Sequence, residues 1–173
     1  MKDKRSLLLL LGYAQKHPAI QKICYMTVKL SWGLFFGLYA LGGLLLWYQD
    51  DLSRIGFYIA VPLICLCTSY AMRGIVKKAR PSQKYHFKPA YDMVQKKSYS
   101  FPSNHSSSAM VIAFAWGFIN PYAGLAAGLL ALWTGLSRAL LGIHFLSDVA
   151  AGWALATVFG VAGFCVLPYL SYL

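Results

Sequence analysis

The chain has 173 residues, of which 58% are hydrophobic and only 12% charged, about half the charged share of roughly 25% usual in a soluble domain. Its net charge is +11, carried mainly by the N-terminal stretch (Lys2, Lys4, Arg5, Lys16, Lys22, Lys29) and by residues 73–97. This balance argues against a soluble globule and against nucleic acid as a partner. It fits a chain whose solvent is the bilayer and whose basic face meets anionic headgroups or a phosphorylated substrate.

In chain order, residues 5–27 read as an amphipathic interfacial helix, because Lys16, His17, Pro18 and Lys22 interrupt a run too short to span. Residues 29–48 form the first span, with Trp32 and Trp47/Tyr48 suited to the interfacial aromatic belts. Residues 55–76 form the second. The polar stretch 77–101 is the one sizeable loop, and function gathers in such loops. Residues 104–119 and 122–141 form the third and fourth spans, joined at Asn120-Pro121, and 146–170 form the fifth. The fold class is therefore all-α: a polytopic helix bundle of about five spans plus the surface helix, in one membrane-embedded domain over 1–173 (29–170 the bundle, 77–101 the active-site loop).

The small residues Gly117, Gly124, Gly128, Gly135, Gly152, Gly160 and Gly163 suit close helix packing. Cys24, Cys65, Cys67 and Cys165 read as small buried hydrophobes. LLLLL at 7–11 is followed by AQKHPAIQK, which is not a small-residue cleavage site, so no removable leader is expected.

Counting spans brings three polar clusters to one membrane face. Arg73 and Arg80-Pro81 are the first. Seven residues are close to two helical turns, so both guanidinium forks can share a face and grip phosphate oxygens, with Pro81 ending the helix. Pro102-Ser103-Asn104-His105 is the second. It opens a helix whose free N–H groups attract anions. Ser103 can cap it, Asn104 tolerates a left-handed backbone, and His105 can hand a proton to a leaving group. The third is Ser137-Arg138, five residues, His144, three residues, Asp148. If the last helix begins early enough, His144 and Asp148 share a face, and the carboxylate fixes the ring tautomer. Each cluster also has a bland reading: a snorkelling basic helix end, a capped helix with an interfacial histidine, a local polar contact.

Together, R-x6-RP, PSNH and SR-x5-H-x3-D resemble the signature of the type 2 phosphatidic acid phosphatase superfamily, which also holds vanadium haloperoxidases and bacterial acid phosphatases. That pattern runs K-x6-RP, PSGH, SR-x5-H-x3-D. Two positions depart from it: Arg73 stands where Lys is usual, and Asn104 where Gly is usual. The resemblance implies His144 as nucleophile forming a phosphohistidine, Asp148 as its support, and His105 as proton donor and then activator of water. It implies Arg73, Arg80, Ser103, Asn104 and Arg138 as the phosphate cradle. Only five Asp and Glu are present, so no carboxylate cluster for a two-metal site is expected, and no cofactor.

By the same resemblance, the substrate is a membrane lipid phosphate and the place a bacterial plasma membrane. Small size favours undecaprenyl diphosphate. Phosphatidylglycerophosphate or phosphatidate, and lipid A (by hydrolysis or phosphotransfer), are the alternatives. Lys77, Lys78, Lys84, Lys88, Lys96 and Lys97 suit a polyanionic headgroup or are solvated charges. Haloperoxidase chemistry is disfavoured without a large soluble scaffold, and an intact His105/His144/Asp148 set argues against a non-catalytic scaffold. The family's site usually faces away from the cytoplasm, whereas the N-terminal cations argue for the cytoplasmic side unless residues 5–27 cross. The extracytoplasmic face is the expectation.

Overall fold

A computed structural model describes residues 2–87 and 99–166. Helices α1 (Lys2–Lys16), α2 (Pro18–Tyr48), α3 (Leu52–Val76), α4 (Pro81–Tyr85), α5 (Asn104–Ile119), α6 (Pro121–Leu140) and α7 (Leu146–Val161) are followed by a π-helical turn, Ala162–Val166. Lys88, Lys96 and Lys97 lie outside the described residues, as does the end of the fifth predicted span.

The helix starts follow local chemistry. Pro18, Pro81 and Pro121 each open a helix, where proline's missing N–H costs nothing. The Asp51 carboxylate accepts from Arg54 N at 3.1 Å, and the Asn120 side chain accepts from Tyr122 N and Ala123 N at 2.9 and 3.0 Å. The break between α1 and α2 falls at His17-Pro18, so the predicted surface helix over 5–27 is corrected. Residues 18–28 belong to a continuous 31-residue α2. Lys22 polarises one face of that helix but removes no backbone hydrogen bond, so it does not end it.

By length and composition α2, α3, α6 and α7 can each cross a bilayer. Helix α5, the third predicted span, has 16 residues, fewer than the roughly 20 a bilayer needs. It is also the most enclosed, packing against α2, α3, α6 and α7, with small or polar positions from Asn104 to Ala115 buried. Large apolar side chains face outward on the surrounding helices, among them Phe36, Ile59, Leu125 and Val158, the pattern expected where lipid is the solvent. The chain is thus an all-helical membrane bundle around α5.

Helix α1 lies across one end of the bundle. Ala14 packs with Cys24 of α2 and with Leu140, Leu141 and Ile143 where α6 ends. Two glycines shape that end. Gly142 has φ +70, and a Cβ there would meet Leu11 and Phe87 at about 3 Å, so only glycine reverses the chain after α6 without strain. Gly152 lets α7 approach α5, since a Cβ would sit 2.8 Å from the Ser103 carbonyl oxygen. Gly128, grouped with the packing glycines from sequence, has open space beside it. Cys24 and Cys65 are buried as expected, but Cys67 is exposed on the outer face of α3.

Candidate active site

The three clusters meet at the end of the bundle covered by α1. Helix α6 delivers Arg138 in its last turn, 5% exposed. Its carbonyl accepts from Ile143 N and His144 N at 3.0 and 3.3 Å. The turn carrying His144 is therefore pinned to the backbone of a phosphate-binding candidate.

His144 precedes α7, whose N-cap is Phe145, so His144 and Asp148 are not stacked on one helical face. Asp148 folds back and accepts from Phe145 N at 3.1 Å. His144 Nδ1 is 3.8 Å from Asp148 Oδ2, beyond a hydrogen bond. Ser100 fills the gap. Its carbonyl oxygen lies 2.9 Å from His144 Nδ1, its hydroxyl 3.2 Å from the same nitrogen, and the hydroxyl donates to Asp148 Oδ2. A carbonyl only accepts, so Nδ1 carries the ring proton and Nε2 keeps its lone pair. Arg80 Nη1 stands 3.5 Å from that Nε2. Complete burial pushes the His144 ring down to about 4; Asp148 opposes the shift, and the Arg80 and Arg138 charges reinforce it. The ring is neutral at physiological pH, as a nucleophile requires.

The arginines reach the site differently from the expected shared face. Helix α3 ends at Val76, and Lys77 turns left-handed (φ 49, ψ 32). Arg80 is extended, and Pro81 begins α4 instead of stopping α3. Arg73 remains on the last turn of α3 and donates from Nη2 to the Pro102 carbonyl at 2.7 Å. Arg73 Nε and Arg138 Nε are buried without a hydrogen-bond partner among the described residues. Holding such donors empty is costly, and an anion between them would satisfy them.

At the start of α5, Ser103 occupies the N-cap but does not cap with its side chain. Its Oγ accepts from Ser106 Oγ at 2.8 Å, while Ser103 N donates to the Asp148 carbonyl at 3.0 Å. The first helical bond there is Ser107 N to Ser103 O at 3.0 Å, so the N–H groups of 104–106 precede the intrahelical ladder and suit an anion. Asn104 is helical and not among the positive-φ residues, so its left-handed tolerance is unused. Its Oδ1 accepts from Ser69 Oγ at 2.7 Å and ties α5 to α3. His105 is half-buried and senses the charges of Arg138, His144, Arg73 and Arg80. It also lines a cavity of about 310 Å³ walled by Trp32, Phe35, Phe36 and Tyr39 of α2 with Leu66 and Tyr70 of α3. Trp32, nearly midway along α2, thus lines this cavity.

Two participants were not singled out from sequence. Ser100 carried no signal beyond standing two residues before Pro102. Lys78, grouped with the loop lysines, instead binds Asp148 Oδ1 at 2.8 Å. Lys77 and Lys84 of that group are exposed.

The chain is similar to known proteins. Phosphatidylglycerophosphatase B of Bacillus subtilis is 36% identical over 85 residues, 42% of this chain; the chain spans about two fifths of that relative's length (42%). The crystal structure of a transmembrane PAP2-type phosphatidylglycerolphosphate phosphatase from Bacillus subtilis aligns over 99% of this chain and 96% of its own, at 21% identity and a TM-score of 0.46. The profile of the PAP2 superfamily matches residues 52–172, from α3 through α7 and every motif described above, and the chain belongs to that superfamily.

Proposed function

We propose that this protein hydrolyses the phosphate ester or diphosphate of a membrane lipid through a phosphohistidine at His144, without a metal. The observation that carries the reading is the His144 ring: Nδ1–H is held by the Ser100 carbonyl, so Nε2 is the nitrogen free to react, beside Arg80. Nε2 attacks phosphorus, the bond from phosphorus to the lipid-side oxygen breaks, and His105 supplies that oxygen's proton. Water, deprotonated by His105, then attacks the phosphohistidine, the P–N bond breaks, and phosphate leaves. Arg73, Arg80 and Arg138, with Ser103 and the N–H groups from Asn104 onward, hold the phosphoryl oxygens. Positioning and charge stabilisation supply most of the catalysis in phosphoryl transfer.

The aromatic cavity beside His105 supports a lipid substrate, because it offers an apolar channel next to the proton donor. Two headgroups have support. Similarity to a phosphatidylglycerophosphatase favours phosphatidylglycerophosphate; the exposed Lys77 and Lys84 near the site favour a diphosphate such as undecaprenyl diphosphate. Metal independence is supported by the donor set, since among the described residues no three His, Cys, Asp or Glu side chains group together.

The test is a rapid-quench measurement with radiolabelled lipid phosphate in detergent. A base-stable, acid-labile phosphoprotein is expected in the native protein and absent from His144→Ala, with turnover unchanged by EDTA. Equal phosphate release by both proteins removes the nucleophile assignment, and loss of activity in EDTA removes the metal-free mechanism. Comparing kcat/KM on phosphatidylglycerophosphate, phosphatidate, lipid A and undecaprenyl diphosphate ranks the headgroups.

Resemblance within the family supports an active site facing away from the cytoplasm. The charge pattern opposes that orientation, and the contacts of α1 at the site end, Ala14 with Leu140 and Asp3 with Lys78, add to that opposition. A cysteine placed at Lys84 should react with an impermeant maleimide in intact cells; labelling only after permeabilisation reverses the orientation.

A further inference from the structure

Lys78 has no protons left for a phosphate. Its ammonium donates to Asp148 Oδ1 at 2.8 Å, to Ser147 Oγ at 2.9 Å and to Asp3 Oδ2 at 2.9 Å. Three donors meet three acceptors. The charge also sits 4.5 Å from the centre of the Phe145 ring, next to His144. Asp148 is fully buried, and its other oxygen is taken by Ser100 Oγ and Phe145 N. The carboxylate that steadies the nucleophile is therefore fixed from both sides, one of them reaching out to helix α1.

We infer that Lys78 is a positioning residue for the His144–Ser100–Asp148 relay, and that α1, through Asp3, holds Lys78 in place. Asp3 lies outside the residues 52–172 that the family profile matches. The acceptor set also separates Lys78 from the exposed Lys77, which carries the same charge one residue earlier with no comparable contact among the described residues. Removing Lys78 takes from buried Asp148 the cation bonded to its Oδ1 and leaves only the more distant Arg73 and Arg80 charges to offset it. The carboxylate then shifts, and Ser100 and the ring shift with it.

The inference rests on His144 being the nucleophile, and the experiment separates the two. Wild type, His144→Ala, Lys78→Met, Lys78→Arg, Asp3→Asn and the Asp3→Asn/Lys78→Met double variant are assayed on whichever of phosphatidylglycerophosphate, phosphatidate or undecaprenyl diphosphate the wild type turns over fastest. Lys78→Met is expected to lower kcat by about 10- to 100-fold with KM little changed, since a displaced nucleophile loses attack geometry and not binding.

The acid limb of kcat/KM should also move up, by about 0.5–1 pH unit, because the less compensated Asp148 charge favours the protonated ring. The other charges near His144 are Arg80 before α4, Arg138 on α6, Arg73 on α3 and His105 on α5, and all are unchanged in these variants. Lys78→Arg keeps the charge and should return the limb to its wild-type position. Asp3→Asn should lower kcat less, and most of its loss should vanish in the Lys78→Met background, because Lys78 is its ion-pair partner, with any remainder carried by its contact with Ser147.

An inactive His144→Ala beside a Lys78→Met of wild-type kcat, or one that loses only KM, overturns the role of Lys78. Additive losses in the double variant overturn the role of α1. If His144→Ala is as active as wild type, the proposed function fails instead. Should Lys78→Met not fold, a Lys78→Arg limb displaced like that of a charge loss, or an Asp3→Asn indistinguishable from wild type, also overturns it.

Discussion

The two ends of the bundle handle polar groups in opposite ways. Toward the far end, Tyr58 stacks at 4.9 Å on Tyr39, which also walls the cavity beside His105, and each hydroxyl donates to the other's carbonyl, at 2.8 and 3.2 Å. There Arg54 donates to the Phe118 carbonyl and lies over its ring at 4.6 Å, while Asn120 caps α6. Every one of these groups is answered from within the fold. At the site end, Arg138 and Arg73 each bury an Nε with no partner among the described residues, and the Arg80 and Arg138 charges act on a neutral His144. Paired polar groups stabilise; unpaired cationic donors are costly and persist where a ligand completes them. The far end closes its polar groups on one another, and the site end leaves cationic donors that an anion would satisfy.

Substitutions at the two ends should therefore separate activity from stability. The largest effect falls on His144→Ala, expected to reduce phosphate release to background, about 10⁴-fold or more, while thermal unfolding in detergent changes little. His105→Ala should cost about 10²–10⁴-fold, the usual worth of a positioned acid–base group, with the phosphoprotein level altered but not abolished. Arg138→Lys keeps the charge but loses the planar fork. An expected drop of about 10²-fold in kcat/KM, as for loss of one charge-stabilising donor, would be read by steady-state kinetics. Wild-type activity in Arg138→Lys would reduce the cradle to bulk charge.

Acidity should act through the same end. The His144 ring is held down to about 4 against an ordinary value of 6.5. A lowered histidine value means the folded state binds fewer protons than the unfolded one. Its contribution to stability is complete above about pH 6.5 and is lost as pH falls from there toward 4, and the nucleophile is lost as pH passes the lower value. The acid limb of kcat/KM should accordingly lie below the ordinary histidine range; a limb at or above 6.5 would contradict the burial argument. The smallest effect belongs to the far end. Tyr58→Phe removes one hydrogen bond and should cost about 1 kcal/mol of stability, with kcat unchanged.

Much of this was legible in the residues. Apolar runs marked the helices, although that of α5 is shorter than a bilayer needs, and the alternation of helix direction brought Arg73, His105 and His144 to one end. Helix ends marked by proline were readable in kind, but Lys22 was over-read as an interruption and Pro81 as a stop. Charge shapes which face of a helix meets water, whereas only backbone geometry decides where the helix breaks. The His144–Asp148 spacing was readable, but the contact was not. It depended on α7 starting at Leu146, two residues after His144, which leaves a gap that Ser100 fills. Lys78 was indistinguishable from its neighbours because side-chain saturation is a property of three acceptors drawn from α1 and α7, far apart along the chain.

The sequence by itself determined that this is a helical membrane protein carrying the motifs of the PAP2 superfamily. Hydropathy and motif spacing are local quantities, and they survive without knowledge of packing. The tertiary structure alone decided which ring nitrogen of His144 is free, which lysine supports Asp148, and that the N-terminal helix reaches the reaction centre. Those facts depend on distances of a few ångströms between segments that sequence separation does not constrain. That is why Asp3 and Asp148, nearly a chain length apart, share one ammonium ion.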